Sequence, residues 1–272
     1  MIGDALLRRI PGCEQGNPPL RLRALPGGRG VNRVLGIVTR LGRFVLRQRL
    51  PPLRRPGADP EQELQAHRLA SRAGLAPWLF DAAPDGAWIL MEYVDSPAWT
   101  PGKLLSPEGL AILCGQIQAL HGLPVPASVR PFDPLTIAGQ HIELVLRAHP
   151  EQNVAVNALL ARIQAAVHSH AEESARLPAI APVLNHGDLQ APNILGSAAL
   201  LADWEYAQWA DPAWDIAVLL IYHPQLRPRS RELLEAAGLP GAGQQARLTH
   251  LLTLFAALNE LWTLAEYGPI RV

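Results

Sequence analysis

Between residues 20 and 49 apolar and polar positions alternate at the period of a pleated strand, and two glycine-bearing turns interrupt the alternation. The pattern predicts strands over 20–25, 33–39 and 43–49, with Leu41-Gly42 as the second turn. A helix is predicted over 60–73, where Pro60 suits the first turn and Gly74 ends it. Residues 88–94 then form an apolar run bounded by Asp85-Gly86 and Asp95-Ser96-Pro97, the mark of a buried strand. Beyond residue 100 the period changes. Ser106-Pro107-Glu108 opens a helix whose stripe is Leu110, Leu113, Cys114, Ile117 and Leu120, ending near Gly122. Further helical patterns cover 137–148, 154–170, 229–237 and 244–266. Strands followed by helices point to an α+β chain.

One segment breaks the helical pattern. Asn185-His186-Gly187-Asp188-Leu189-Gln190-Ala191-Pro192-Asn193-Ile194-Leu195, followed by Asp203-Trp204-Glu205, reads as strand, loop, strand, turn, strand. Asp188, Asn193 and Asp203 fall here at spacings of five and ten residues. Phosphoryl transfer calls for such residues, because the protein must position a hydroxyl in line and hold magnesium against the nucleotide's phosphates. Magnesium takes oxygen ligands and is held by one or two carboxylates plus phosphates, which suits Asp203 and the amide oxygen of Asn193. Asp188 is left to orient the attacking hydroxyl and take its proton. The plain alternative is a polar hairpin whose Asp and Asn side chains cap turns.

The run His186-Gly187-Asp188-Leu189-x3-Asn193, then Leu201-Ala202-Asp203-Trp204-Glu205-Tyr206-Ala207, then Asp211-Pro212-x2-Asp215-Ile216-Ala217, resembles the signature of the aminoglycoside phosphotransferase and choline kinase superfamily. The Asp-Trp-Glu-Tyr-Ala version is similar to its bacterial choline, ethanolamine and thiamine kinase branch. The resemblance implies a bilobal protein-kinase-like fold, with a nucleotide-binding lobe over 1–94 and a mostly helical catalytic and acceptor-binding lobe over 95–272. It implies ATP and Mg2+ as cofactors, Asp188 as catalytic base, Asn193 and Asp203 as metal ligands, and His186 and Asp215 as braces of the loop. Leu25-Pro26-Gly27-Gly28-Arg29-Gly30-Val31-Asn32 resembles the family's glycine-rich opening, so Gly27, Gly28, Gly30 and Asn32 are expected at the nucleotide. Protein kinases carry a lysine on the third strand. This chain's single lysine, Lys103, lies elsewhere, and Phe44-Val45-Leu46-Arg47-Gln48 looks like the version with arginine in that place. Arg47 is therefore expected at the phosphates with Glu63 as its partner; Glu61 competes for the pairing, and Arg43 and Arg49 share the strand face. Glu92 and Val94 would meet adenine through their backbones. Trp262 and Glu260 on the last helix, with Glu205, are expected to hold the acceptor, since a ring face and a carboxylate suit an ammonium. Asn259 stands where a second aromatic residue is often seen in choline kinases, and Trp209, Trp214 and Tyr222 are further candidates. His121, ending its helix, reads as structural.

At 272 residues and 49% hydrophobic composition the chain can bury a large core. Net charge is zero, but the first 55 residues hold twelve arginines against Asp4 and Glu14, a balance of +10 that the remainder offsets. A basic first part suits nucleotide phosphates and an acidic second part suits magnesium and an aminated acceptor, while solvated surface accounts equally for most of those arginines. No zinc-finger spacing or RNA-binding aromatic motif argues for nucleic acid. The two cysteines, Cys13 and Cys114, have no metal-ligand spacing and fit a reducing compartment. Charge order at the N-terminus inverts that of a secretory signal, and the apolar run 216–222 is far short of a membrane span, so a cytoplasmic protein is expected. Oligomeric state is left open. The expected activity is phosphorylation of the hydroxyl of a small, cationic or amine-bearing metabolite of the choline, ethanolamine or thiamine type. An aminoglycoside or amino-sugar kinase is the alternative enzyme, and a nucleotide-binding, non-catalytic regulator the alternative of another kind.

Overall fold

A computed structural model describes residues 2–14, 17–25, 31–52, 55–126, 132–241 and 243–268. In chain order the first elements are α1 (Asp4–Leu7), β1 (Arg21–Ala24), β2 (Asn32–Thr39), β3 (Gly42–Arg49), α2 (Pro60–Arg72), β4 (Leu79–Ala82) and β5 (Trp88–Glu92). Helices α3 (Pro101–Leu105), α4 (Pro107–His121), α5 (Pro134–Ala148) and α6 (Asn153–Ala175) follow. Four short strands come next, β6 (Val183–Asn185), β7 (Ile194–Leu195), β8 (Leu200–Leu201) and β9 (Gln208–Ala210), then α7 (Ala213–Tyr222), α8 (Ser230–Ala236) and α9 (Gln244–Tyr267). The chain forms two compact units. The first comprises Met1–Ala98 with Ile194–Glu205, and the second Trp99–Asn193 with Tyr206–Val272.

The first unit is built on an antiparallel sheet of order β1-β2-β3-β5-β4. Strand β3 shows how alternation divides its faces. Phe44 and Leu46 point into a core with Ile2, Ile10, Cys13, Leu35, Ile37 and Leu90, which the N-terminal segment covers. The intervening Arg47 and Arg49 point to the other face and are nonetheless buried. Helix α2 is capped by Asp59, whose carboxylate accepts from the amides of Glu61 at 2.9 Å and Gln62 at 3.4 Å, with Pro60 at the first turn. Its buried stripe contains Glu63, Ala66, His67 and Ala70, at the spacing of one helix face. The β7–β8 hairpin joins this unit: the Gly196 amide donates to Pro97 at 3.1 Å and the Leu201 amide to Leu75 at 2.8 Å.

Helices dominate the second unit. Ser106 caps α4, accepting from the Gly109 amide at 3.0 Å, and the predicted stripe Leu110, Leu113, Ile117 and Leu120 is buried. Helix α9 packs against α5, α6 and α7 and buries Leu248, Leu251, Leu254, Phe255, Leu258 and Leu261. By length and composition α9 could cross a membrane, and 39% of its apolar window is buried inside the fold. The two-stranded β6–β9 ribbon pairs Asn185 with Gln208 and carries the Asp188 loop at its end.

Candidate active site

In the second unit the loop after β6 is fastened at several points. Asp215, wholly buried in the first turn of α7, accepts from the amides of His186 at 2.8 Å and Gly187 at 2.9 Å. Its own amide donates to Asn185 Oδ1 at 3.1 Å, and Asn185 Nδ2 donates to the carbonyls of Val183 at 3.1 Å and Ala210 at 3.3 Å. Every polar atom on this path has a partner, so the loop start cannot shift without breaking several buried bonds. His186 Nδ1 accepts from the Asp188 amide at 3.3 Å. Gly187 has φ of +77°, and a Cβ there would lie 2.1 Å from the Tyr206 carbonyl oxygen, so only glycine fits. Farther along, His223 Nε2 accepts from the Ala191 amide at 3.4 Å. His121 is buried with Nε2 3.9 Å from Asp215 Oδ2, close behind this brace.

These supports present the Asp188 side chain. Its Oδ1 accepts from Gln190 Nε2 at 2.8 Å and its Oδ2 from Asn193 Nδ2 at 2.7 Å; the same Nδ2 also reaches the Asp188 carbonyl at 2.9 Å. An ionised carboxylate only accepts, so both amides turn their nitrogens toward Asp188. Asn193 Oδ1 is thereby the atom of that amide left to ligate a cation. Gln190 was not singled out in the sequence; its place in the run between Asp188 and Asn193 was the available signal.

The first unit gathers the remaining charged candidates. Arg47 and Arg49 each ion-pair with one oxygen of the Glu63 carboxylate, whose side chain is 2% exposed. Arg47 also donates to Asp203 Oδ1 at 2.8 Å. Glu63 is thus the partner expected for Arg47, shared with Arg49, whereas Glu61 sits on the exposed side of α2. Asp203 has φ of +66°, a left-handed conformation that a residue with a Cβ adopts at a cost, and such strain gathers at functional sites. Asn32 is buried and donates to Glu205 Oε2 at 3.3 Å, leaving its own Oδ1 buried without a partner among the described residues. Burial, then the nearby Asp203 charge, push the Glu205 carboxyl above its ordinary value, against the pull of Arg47, Arg49 and Asn32. Burial and the Arg47 charge lower the Arg49 guanidinium in turn.

Glu205 lies in the first unit among arginines and Asn32. Glu260 is exposed and pairs with Arg162 at 2.9 Å, while Trp262, two residues on, donates through Nε1 to the Tyr206 hydroxyl at 3.1 Å and meets the Tyr267 ring edge-on at 5.8 Å. Residues two apart on a helix point to different sides, about 200° around the axis. Trp214 and Tyr222 pack on Phe255, with ring centroids 5.6 and 5.7 Å away, and Trp209 is buried. Gly27, Gly28 and Gly30 lie outside the described residues. The Glu92 amide is taken by Trp78 O at 2.8 Å and that of Tyr93 by Arg43 O at 3.3 Å, so neither N–H is left to offer.

Among the described residues no three His, Cys, Asp or Glu side chains form a metal cluster by themselves. The profile of the phosphotransferase enzyme family matches residues 21–248, most of the chain. The chain belongs to the phosphotransferase enzyme family. Solved structures similar to this phosphotransferase include a choline/ethanolamine kinase family protein from Mesorhizobium loti, at 21% identity and TM-score 0.68, covering 99% of this chain and 87% of that one. Choline kinase LicA from Streptococcus pneumoniae aligns at 17% identity and TM-score 0.70, over 96% and 90% of the two chains. A spectinomycin phosphotransferase in complex with ADP and spectinomycin aligns at 13% identity and TM-score 0.64, over 100% and 90%. No curated protein matches the sequence. The fold of this small-molecule kinase is therefore the kinase-like one that its motifs implied, and at these identities its acceptor must be argued from its own residues.

Proposed function

We propose that this phosphotransferase transfers the terminal phosphoryl group of ATP, with Mg2+, to the hydroxyl of a small cationic or amine-bearing metabolite of the choline, ethanolamine or thiamine type. The observation that carries the reading is the Asp188 carboxylate, gripped at 2.8 Å by Gln190 and at 2.7 Å by Asn193. So held, Asp188 orients the acceptor hydroxyl and receives its proton, the role a positioned carboxylate plays in phosphoryl transfer. Asn193 Oδ1 and the Asp203 carboxylate would hold the magnesium, which when bound neutralises charge on the phosphates. Arg47, kept straight by Glu63, would turn its fork from Asp203 toward a phosphate, for which guanidinium geometry is suited. Asn32 and the glycines 27, 28 and 30 would line the phosphates, and the Glu92 carbonyl and Val94 amide would meet adenine. His186 and Asp215 keep the loop in place, and Trp262 offers a ring face to a cation.

In this reading residues 1–94 serve the nucleotide and 95–272 the reaction and acceptor. The partners are nucleotide and a small molecule, with neither nucleic acid nor membrane involved, and the protein works in the cytoplasm; free Cys13 and Cys114 agree with a reducing compartment. The test is acceptor-dependent ADP formation with magnesium across choline, ethanolamine, thiamine, amino sugars and aminoglycosides. Turnover of one of the first three supports the proposal. Turnover confined to aminoglycosides or amino sugars would replace it with the reading that the likeness to spectinomycin phosphotransferase favours. ATP binding without turnover of any acceptor would make the chain a non-catalytic nucleotide binder.

A further inference from the structure

Gln190 is held at both ends. Its backbone carbonyl accepts from the Asn193 amide at 2.9 Å, and its side-chain Nε2 donates to Asp188 Oδ1 at 2.8 Å. Because the carboxylate can only accept, the orientation of this amide is forced, and Oε1 must point away from Asp188. That oxygen has no hydrogen-bond partner among the described residues, and Gln190 is half-buried, so Oε1 faces accessible space. A carboxylate oxygen and a carbonyl oxygen thus stand side by side, separated by one amide group. The neighbouring Asn193 holds the other carboxylate oxygen at 2.7 Å, so the pair has little freedom to turn apart.

We infer that Gln190 selects the acceptor: its nitrogen positions Asp188, and its carbonyl takes a hydrogen from a donor group beside the reacting hydroxyl. The inference rests on Asp188 receiving that hydroxyl, as proposed above. An alcohol bearing a protonated amine two carbons away satisfies both oxygens, O–H to Asp188 and N–H to Gln190. A quaternary ammonium has no N–H. It would place a methyl group against Oε1 and leave a desolvated acceptor without a partner, which is costly. Trp262 cannot make this distinction, because a ring face attracts a cation whether or not it carries hydrogens. Gln190 therefore directs the site toward amines with at least one N–H.

The test is kcat/KM for 2-aminoethanol, its N-methyl and N,N-dimethyl derivatives and the N,N,N-trimethyl compound, all cationic at neutral pH. Each methyl adds bulk equally, but only the last step removes the final N–H. The wild-type enzyme should vary little over the first three and fall about tenfold to a hundredfold at the fourth, the loss expected when a buried carbonyl is left unpaired. Gln190→Met should lower kcat about tenfold for every acceptor through loss of Asp188 positioning. In that variant the last step should shrink to about twofold or less. An even decline across the wild-type series would show that size, not hydrogen bonding, decides, and would overturn the inference. So would a last step that persists unchanged in Gln190→Met. Should that variant fail to fold, the wild-type series decides by itself. Absence of turnover for all four compounds would instead refute the proposed acceptor class, and with it this inference.

Discussion

Asp188 receives two amide donors from residues two and five positions downstream, so its geometry is set by local chain before any substrate binds. Asp188→Asn keeps the shape, removes the proton acceptor and sets its own NH2 against one of the two amide N–H groups, while its oxygen still accepts from the other. Its kcat should fall by about 10²–10⁴ while the dissociation constant for Mg-ATP stays within about twofold. Steady-state turnover and calorimetric titration separate these, and normal turnover would remove Asp188 from the reaction. Gly187→Ala tests the loop differently. With φ of +77° and a Cβ 2.1 Å from the Tyr206 carbonyl, alanine should cost on the order of 1–3 kcal/mol and carry turnover down with it. Urea unfolding measures the cost, and a neutral result would show that the loop has room. Asp188, Asn193 and Asp203 stood out because their spacing within one short segment suits their proposed chemistry, whereas Asp215 was expected only from the family resemblance. Gln190 was passed over because a glutamine has no titration or metal preference to advertise; its role exists only through its distance to Asp188.

At the scale of elements, the charged face of the first unit depends on β3 and α2 meeting in one register. Glu63 lies on the same helical stripe as Ala66, His67 and Ala70, and this phase, readable in the sequence, places it inward and Glu61 outward. What the sequence did not disclose is that β3 sends a second arginine to the same carboxylate, so Arg49 shares what was expected for Arg47 alone. Strand alternation put both on one face; burial of that face by α2 is a long-range fact. Two buried guanidinium groups around one carboxylate make its loss severe. Glu63→Ala should destabilise the protein by about 3–5 kcal/mol, because the arginines are left buried and uncompensated. Glu63→Gln should cost less, since its carbonyl still accepts one of the bonds. Thermal or urea unfolding checks both, and a change below about 0.5 kcal/mol for Glu63→Ala would mean that water replaces the carboxylate freely. The strand pairs β2–β3 and β3–β5 and helix α4 followed their periodicity closely. Short β4 and α3 escaped it, having too few residues to show a period.

For the whole molecule, the sequence left an N-terminal block of arginines facing an acidic remainder. Four of those twelve arginines are paired inside the first unit, Arg9 with Asp81 at 2.6 Å, Arg43 with Asp95 at 2.5 Å, and Arg47 and Arg49 with Glu63. The pH dependence of stability follows from which groups are shifted. His141, buried in α5, has Nδ1 without a partner among the described residues, and burial lowers its ring from 6.5 to about 4. The unfolded chain binds a proton here as pH falls through 6.5, and the folded chain only near 4. Between those values the unfolded state holds more protons, so stability must decline on acidification. At roughly 1.4 kcal/mol per unit, this one ring removes up to about 3 kcal/mol across the window. Burial lowers His223 too, which adds to the decline with the same sign. Asp211 opposes neither: although its burial acts to raise it, His170 and Arg247 hold it below its ordinary value, so its contribution is lost only at more acid pH. His141→Leu removes the ring while keeping an apolar side chain in its place. Urea unfolding at about pH 7 and about pH 4.5 should show wild type losing roughly 2–3 kcal/mol between the two, and His141→Leu losing markedly less. Only the difference between the two pH values matters, so a change in packing that shifts both equally does not disturb the comparison. Equal losses for the two proteins would mean that His141 takes up its proton in the folded state as readily as in the unfolded chain.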